Sequence, residues 1–296
     1  MNQRDILRLL SLAAIWGASF LFIRVAAPAF GSSALMCVRV AFAALFLWAI
    51  ARSFGKNTLH KADIGHYMLL GGVNSAVPFV LYAFASHWLS ASILAVLNAT
   101  APLWAMLIGV LFFRQAFSAK ALLGLGLGVC GVGVLVGFDP LLLQPGSGWA
   151  VVAGASAACC YGIATHYTKR AKQRAAFDNA HGSMWAALVW LAPFALVQWP
   201  SSTPALDMWA AVAVLGLVCT SIAYLLYFRL LEDIGPTNSL TVTFLIPVFG
   251  VLWGHLLLDE VIGWHTVVGV CLVLAGTALV TGFSLLSVWQ QLSAKR

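Results

Sequence analysis

Residues 119–138 read AKALLGLGLGVCGVGVLVGF, with one lysine at the second position and no charge in the 18 residues after it. About 20 apolar residues in a helix rising 1.5 Å per residue cross the roughly 30 Å hydrocarbon core of a bilayer. The stretch therefore reads as a membrane span, and similar stretches lie on either side of it. They fall near 6–26, 33–54, 63–86, 90–113, 119–138, 148–168, 177–199, 207–231, 237–258 and 263–288. Turn formers at 31–33, 55–57, 140–148, 200–204 and 235–236 separate several of them. The composition agrees: 62% of the 296 residues are hydrophobic and 8% are charged. Soluble domains average about 25% charged residues. That excludes a water-soluble globular enzyme, a disordered chain and a nucleic-acid binder. The backbone of a span must bond within a helix or a closed barrel, and barrel strands are half this length. The expected fold is an all-α polytopic membrane protein of ten transmembrane helices. The N-terminal stretch is read as a retained first span, not a cleaved signal peptide.

The net charge of +7 is distributed by topology. Arg4 and Arg8 precede span 1; Arg52, Lys56 and Lys61 lie between spans 2 and 3; Arg114 and Lys120 between 4 and 5; Lys169, Arg170, Lys172 and Arg174 between 6 and 7. Arg229 ends span 8, and Lys295 and Arg296 end the chain. All fall on one side if both termini share it, and the opposite connections carry Asp139, Asp207, Asp259 and Glu260. Excess Lys and Arg mark the cytoplasmic side, so both termini are expected there.

A shift of 145 residues lays the second half on the first. Trp16-Gly17 falls on Tyr161-Gly162, Arg24 on Lys169, Phe79 and Tyr82 on Tyr224 and Tyr227, Pro102 on Pro247, Gly109 on Gly254, Gly124 on Gly269, and Gly131 on Gly276. The expected halves are 1–145 and 146–296. Five spans in each make the second half enter the membrane in the opposite sense. The basic connection at Arg114 and Lys120 then corresponds to the acidic one at Asp259 and Glu260. Inverted repeats around a midplane site are an architecture of secondary transporters.

With Trp16-Gly17, Phe20 and Arg24 in span 1, Pro102 with its downstream glycines, and the second-half copies, the chain resembles the EamA-type branch of the drug/metabolite transporter superfamily. Its aromatic-rich middle resembles the YddG-type aromatic amino-acid exporters of that branch. The resemblance implies ten spans, cytoplasmic termini, a bacterial-type inner membrane and export of small molecules. One departure is visible: the acidic residue expected after the span-4 proline is replaced at Arg114-Gln115 and kept at Asp259-Glu260.

Positions 75, 79 and 82 in span 3 share a helix face, and Thr220, Tyr224 and Tyr227 in span 8 repeat it. Trp16 and Phe20 in span 1 oppose Tyr161 and Thr165 in span 6 by the same offset. Asn74, Ser75, Asn98, Thr100, Thr241 and Thr243 add hydrogen-bonding groups. The expected substrate-binding set is Trp16, Phe20, Asn74, Ser75, Phe79, Tyr82, Asn98, Tyr161, Thr165, Thr220, Tyr224, Tyr227 and Thr243. Rings suit an apolar body or an ammonium, and amides and hydroxyls suit a carboxylate. Asn74 serves a site or glues two helices. Pro102 and Pro247 are hinges or static kinks. Trp88, Trp149, Trp199, Trp209, Trp264 and Trp289 near span ends are expected interfacial anchors. The span-5 glycines are expected to pack helices closely, and the six cysteines to be small buried residues.

No Asp or Glu lies in the middle of a span, which argues against carboxylate-based proton antiport. His181 and His255 are read as packing residues. Arg39 is the one basic residue expected clearly inside a span, read as snorkelling to the outer interface. No GxSxG, HExxH or paired carboxylate supports an intramembrane enzyme. The expected function is facilitative export of aromatic and other neutral amino acids by a monomer in the lipid bilayer. No cofactor, metal or nucleic-acid partner is expected. The alternative is export of lipophilic drugs or other small metabolites with proton coupling.

Overall fold

The computed structural model describes residues 3–55, 58–116, 118–138, 146–239 and 241–282. Its elements are helical: α1 (Gln3–Phe30), α2 (Ser32–Ser53), α3 (Ile64–Gly71), α4 (Val77–Ala85), α5 (Ala91–Asn98), α6 (Ala101–Phe113), α7 (Ala119–Gly137), α8 (Ser147–Arg170), α9 (Ala176–Val197), α10 (Leu206–Gly216), α11 (Ala223–Ser239), α12 (Thr241–Leu258) and α13 (Trp264–Thr281). They form ten stretches long and apolar enough to cross a membrane, near the ten expected spans. Residues 283–288 of the tenth expected span, with Lys56, Asp139, Trp289, Lys295 and Arg296, lie outside the described residues. Helix α1 runs to Phe30, which places Arg24 inside a span as well as Arg39.

Three spans are interrupted, each for a local reason. Span 3 joins α3 to α4 through a π-helical segment, Gly72–Ala76, and span 8 joins α10 to α11 through another, Leu217–Ile222. The two begin 145 residues apart. A π turn displaces the backbone ladder by a residue. In span 8 hydroxyls serve the displaced carbonyls: Thr220 donates to the Leu215 carbonyl at 2.8 Å and Ser221 to that of Gly216 at 3.2 Å. Span 4 breaks between α5 and α6. The Thr100 hydroxyl donates to the Leu97 carbonyl at 2.6 Å, and Pro102 sits in the first turn of α6, where its missing N–H is harmless. The matched prolines therefore act differently, for Pro247 lies inside the continuous helix α12.

Small residues decide the crossings. A Cβ on Gly17 would lie 2.8 Å from the Phe249 Cβ and 2.9 Å from the Gly250 nitrogen; one on Gly162 would lie 2.8 Å from the Ala105 nitrogen. So α1 crosses α12 with backbones nearly touching, and α8 crosses α6 at the corresponding place. Likewise Gly124 and Gly131 of α7 meet Gly276 and Gly269 of α13, the close approach expected of small-residue faces. The hairpins after α6 and α12 share a shape. Arg114 and Asp259, 145 apart, are the two non-glycine residues with positive φ among those described. Each is followed by an N–H that reaches back 3.1 Å to a glycine carbonyl, Gln115 to Gly109 and Glu260 to Gly254.

The two ends of the bundle differ. At one end Arg24 donates to the Ser86 carbonyl, Ser33 donates to Gln198 at 2.9 Å, and Glu260 clamps the start of α5. That carboxylate accepts from the Ala91 N–H at 2.7 Å, the Ser92 N–H at 3.1 Å and the Ser92 hydroxyl at 2.5 Å. At the other end, the one with the basic connections, Arg8 pairs with Asp233 and Arg174 with Asp63.

Candidate functional site

Between the halves lies a cavity of about 700 Å³, within the range of small-molecule sites. Its walls run from Ile23 and Arg39 at mid-depth to Gln115, Lys169, Ser239 and Thr281 at the end with the basic connections. Thr165, Lys169 and Gln115 are exposed there, so the cavity opens at that end. It is shut at the end where Glu260 caps α5.

The Trp-Gly and Tyr-Gly pairs build two opposite walls. Gly17 and Gly162 bring α1 against α12 and α8 against α6, and the preceding rings of Trp16 and Tyr161 both line the cavity. Trp16 meets Tyr227 at 5.4 Å between ring centres, Phe20 meets Tyr82 edge-on at 5.5 Å, and Tyr82 stacks near Tyr161 at 6.3 Å. These rings come from spans 1, 3, 6 and 8, two from each half. Beside these rings stand neutral polar groups, with Arg39 and Lys169 as the cations of the lining. Asn74 faces the cavity from the first π segment. Tyr82 donates to the Asn98 amide oxygen at a long 3.4 Å, and Asn98 ends α5 at the span-4 break.

The structure brings together Trp16, Phe20, Asn74, Phe79, Tyr82, Asn98, Tyr161, Thr165, Thr220, Tyr224, Tyr227 and Thr243 around this one cavity. Ser75 is not part of the lining: it is fully buried behind the wall, beside Tyr224. Pro102 lines the cavity and Pro247 does not. Thr100, at the break in span 4, spends its hydroxyl on the Leu97 carbonyl of α5. His181 is held by the Thr58 hydroxyl at 2.6 Å and by the Trp185 indole N–H at 2.9 Å, which makes it a packing residue.

Arg39 corrects the expectation of snorkelling. It is 6% exposed and lines the deep end of the cavity. Its Nε donates to the Thr220 hydroxyl oxygen at 3.0 Å, and its guanidinium carbon lies 3.8 Å from the centre of the Phe79 ring. It cannot reach the interface because α10 crosses α2 at this level, so closely that a Cβ on Gly216 would lie 2.7 Å from the Arg39 carbonyl. Sequence reasoning also passed over His166, Lys169 and Gln115 at the mouth. His166 Nε2 bonds the Ala105 carbonyl at 2.7 Å. The signal for Lys169 was present in its match with Arg24.

The EamA-like transporter family matches this chain twice, over residues 4–137 and 148–282. A protein of Streptantibioticus cattleyicolor named "Probable terminal-alkyne amino-acid exporter" is 24% identical over 272 residues, covering 90% of this chain and 89% of that one. "Protein PecM" of Dickeya dadantii is 24% identical over 277 residues, covering 92% and 91%. An uncharacterized transporter of Archaeoglobus fulgidus is 24% identical over 270 residues, covering 90% and 94%. A solved crystal structure superposes with a TM-score of 0.62 at 15% identity, over 94% of this chain and 96% of that one, a likeness of fold. These relatives point to a transporter rather than an enzyme. With a family match across both halves, ten apolar spans and an internal cavity open at one end, the chain belongs to the EamA-like transporter family.

Proposed function

We propose that this protein exports aromatic and other neutral amino acids by alternating access. It works as a facilitative monomer in a bacterial-type inner membrane, with both termini cytoplasmic. The observation that carries the reading is that one cavity is walled by Trp16, Tyr82, Tyr161 and Tyr227 together, rings drawn equally from both halves. An aromatic side chain stacks among them, while Asn74 and Asn98 hold its polar end. The halves 1–145 and 146–296 serve as inverted repeats. Their support is the pairing of features 145 apart: the two π segments, the two glycine crossings and the two positive-φ hairpins. Exchange of conformations between such halves moves the opening from one face to the other. The name of one relative, an amino-acid exporter, agrees.

Proton-coupled drug export would want an acid in the cavity, and among the described lining residues there is no Asp or Glu. The test is uptake of labelled phenylalanine and tryptophan into liposomes holding the pure protein. Saturable flux above protein-free vesicles, unchanged when a pH gradient is imposed, is the expected result. A folded protein that moves neither amino acid refutes the reading.

A further inference from the structure

The cavity is unevenly charged. Among its described lining residues Arg39 and Lys169 are cations and none is a carboxylate. Arg39 lies at the deep end of the cavity, nearly all its surface buried. Only neutral groups position it. Phe79 offers a ring face at 3.8 Å and Thr220 an acceptor at 3.0 Å. The Thr220 proton is already committed to the Leu215 carbonyl, so this hydroxyl meets Arg39 as an acceptor. One terminal guanidinium nitrogen donates to the Met36 sulfur at 3.9 Å, a weak acceptor.

No described Asp or Glu forms an ion pair with Arg39. Asp63 and Asp233 hold other arginines, and Glu260 holds the start of α5. A buried charge without a counter-ion is costly, and ionisable groups at membrane depth mark pathways. The guanidinium fork matches a carboxylate. Lys169 at the mouth adds a field that favours anions entering.

From this we infer that the cavity selects its cargo by a carboxylate seated on Arg39 and supplies no counter-charge for an ammonium. The cargo class is then aromatic monocarboxylates. Amino acids are one kind, and aromatic acids with no amine are another that the site accepts at least as well. This inference rests on the cavity being a carrier for aromatic molecules, and it deepens that reading. An amine finds neutral acceptors here, such as the amide oxygen of Asn98, and no carboxylate among the described lining residues, so its replacement by a carbonyl removes no ion pair.

The experiment uses the full chain in liposomes with three probes of one skeleton: phenylalanine, phenylpyruvate and phenethylamine. Labelled phenylalanine and labelled phenylpyruvate are followed separately against protein-free vesicles, and phenethylamine is added as competitor. Both acids are expected to move, phenylpyruvate with a KM equal to or below that of phenylalanine, and phenethylamine is expected not to compete. Arg39→Gln is expected to raise the KM of both acids at least tenfold, and Arg39→Lys to recover part of that loss. Monodispersity and a melting curve check that the variants fold. The wild-type probe series decides the question even if Arg39→Gln does not fold.

Competition by phenethylamine with an inhibition constant as low as the KM of phenylpyruvate overturns the inference, as does transport of both acids by folded Arg39→Gln with wild-type KM. Phenylalanine moving while phenylpyruvate does not overturns the inference and leaves the amino-acid reading standing. Phenylpyruvate moving while phenylalanine does not removes the amino-acid reading and leaves the carboxylate site. If neither acid moves, both fall.

Discussion

Thr220 shows how much one hydroxyl does at membrane depth. It donates to Leu215 at 2.8 Å, which closes the π turn, and accepts from Arg39 at 3.0 Å. Thr220→Val keeps the shape and removes both bonds. Hydrogen bonds to charged groups contribute about 1.5–3 kcal/mol. A loss of that order in detergent stability, with a raised KM, is the expected result from a melting curve and liposome flux. The cavity rings act through area. The ring centres of Trp16 and Tyr227 lie 5.4 Å apart, and an aromatic pair contributes about 0.5–1.5 kcal/mol beyond burial. Trp16→Ala should therefore raise the KM for an aromatic cargo several-fold, with a smaller effect on a small aliphatic one. Flux measured for phenylalanine and alanine side by side checks this.

At the scale of elements, the helix crossings and the capped end of α5 are the places to perturb. A methyl on Gly162 would press into the α6 backbone at 2.8 Å. Overpacking of this kind costs about 1–3 kcal/mol. Gly126, where an added Cβ meets nothing within 4 Å, serves as control: Gly126→Ala should be neutral or stabilising by about 0.5–1 kcal/mol. Gly162→Ala should lower the detergent melting temperature while Gly126→Ala does not. At the closed end Ser90 caps the Ile93 N–H at 3.2 Å, and Glu260 takes the two before it. Losing such a cap costs about 0.5–2 kcal/mol. Glu260→Ala should loosen that end. A cysteine placed at Ser86 should then react faster with an impermeant maleimide added from the face opposite the basic connections.

At the scale of the molecule, the two ends carry matched parts in different states. Arg24 bonds the Ser86 carbonyl and Glu260 caps α5 at the closed end, while their counterparts Lys169 and Gln115 face the cavity at the open one. The molecule is therefore open toward the side of its basic connections. An anion leaving a cell with a negative interior runs down the potential, about 2.3 kcal/mol per charge per 100 mV. Under a potassium–valinomycin potential, negative inside, efflux of phenylpyruvate should quicken and that of zwitterionic phenylalanine should stay unchanged.

Ten spans, the 145-residue offset and nearly all the aromatic lining were legible in the chain. Each depends on local quantities: apolar length sets a membrane helix, and helical spacing sets which residues share a face. Trp16 and Tyr161 could be paired from the offset alone. What the chain did not disclose depends on neighbours far along it. The burial of Arg39 follows from α10 crossing α2. The seclusion of Ser75 and the two π segments follow from how spans 3 and 8 seat against the opposite half. Pro102 and Pro247 look equivalent in sequence, yet one begins a helix and the other lies within one, because span 4 is broken at its proline and α12 is not. Sequence by itself determined which stretches are long and apolar enough to cross the membrane and which aromatic rings share a face. Only the tertiary structure decided which charge stays inside and which end is shut, since both depend on long-range packing that carries no local signature.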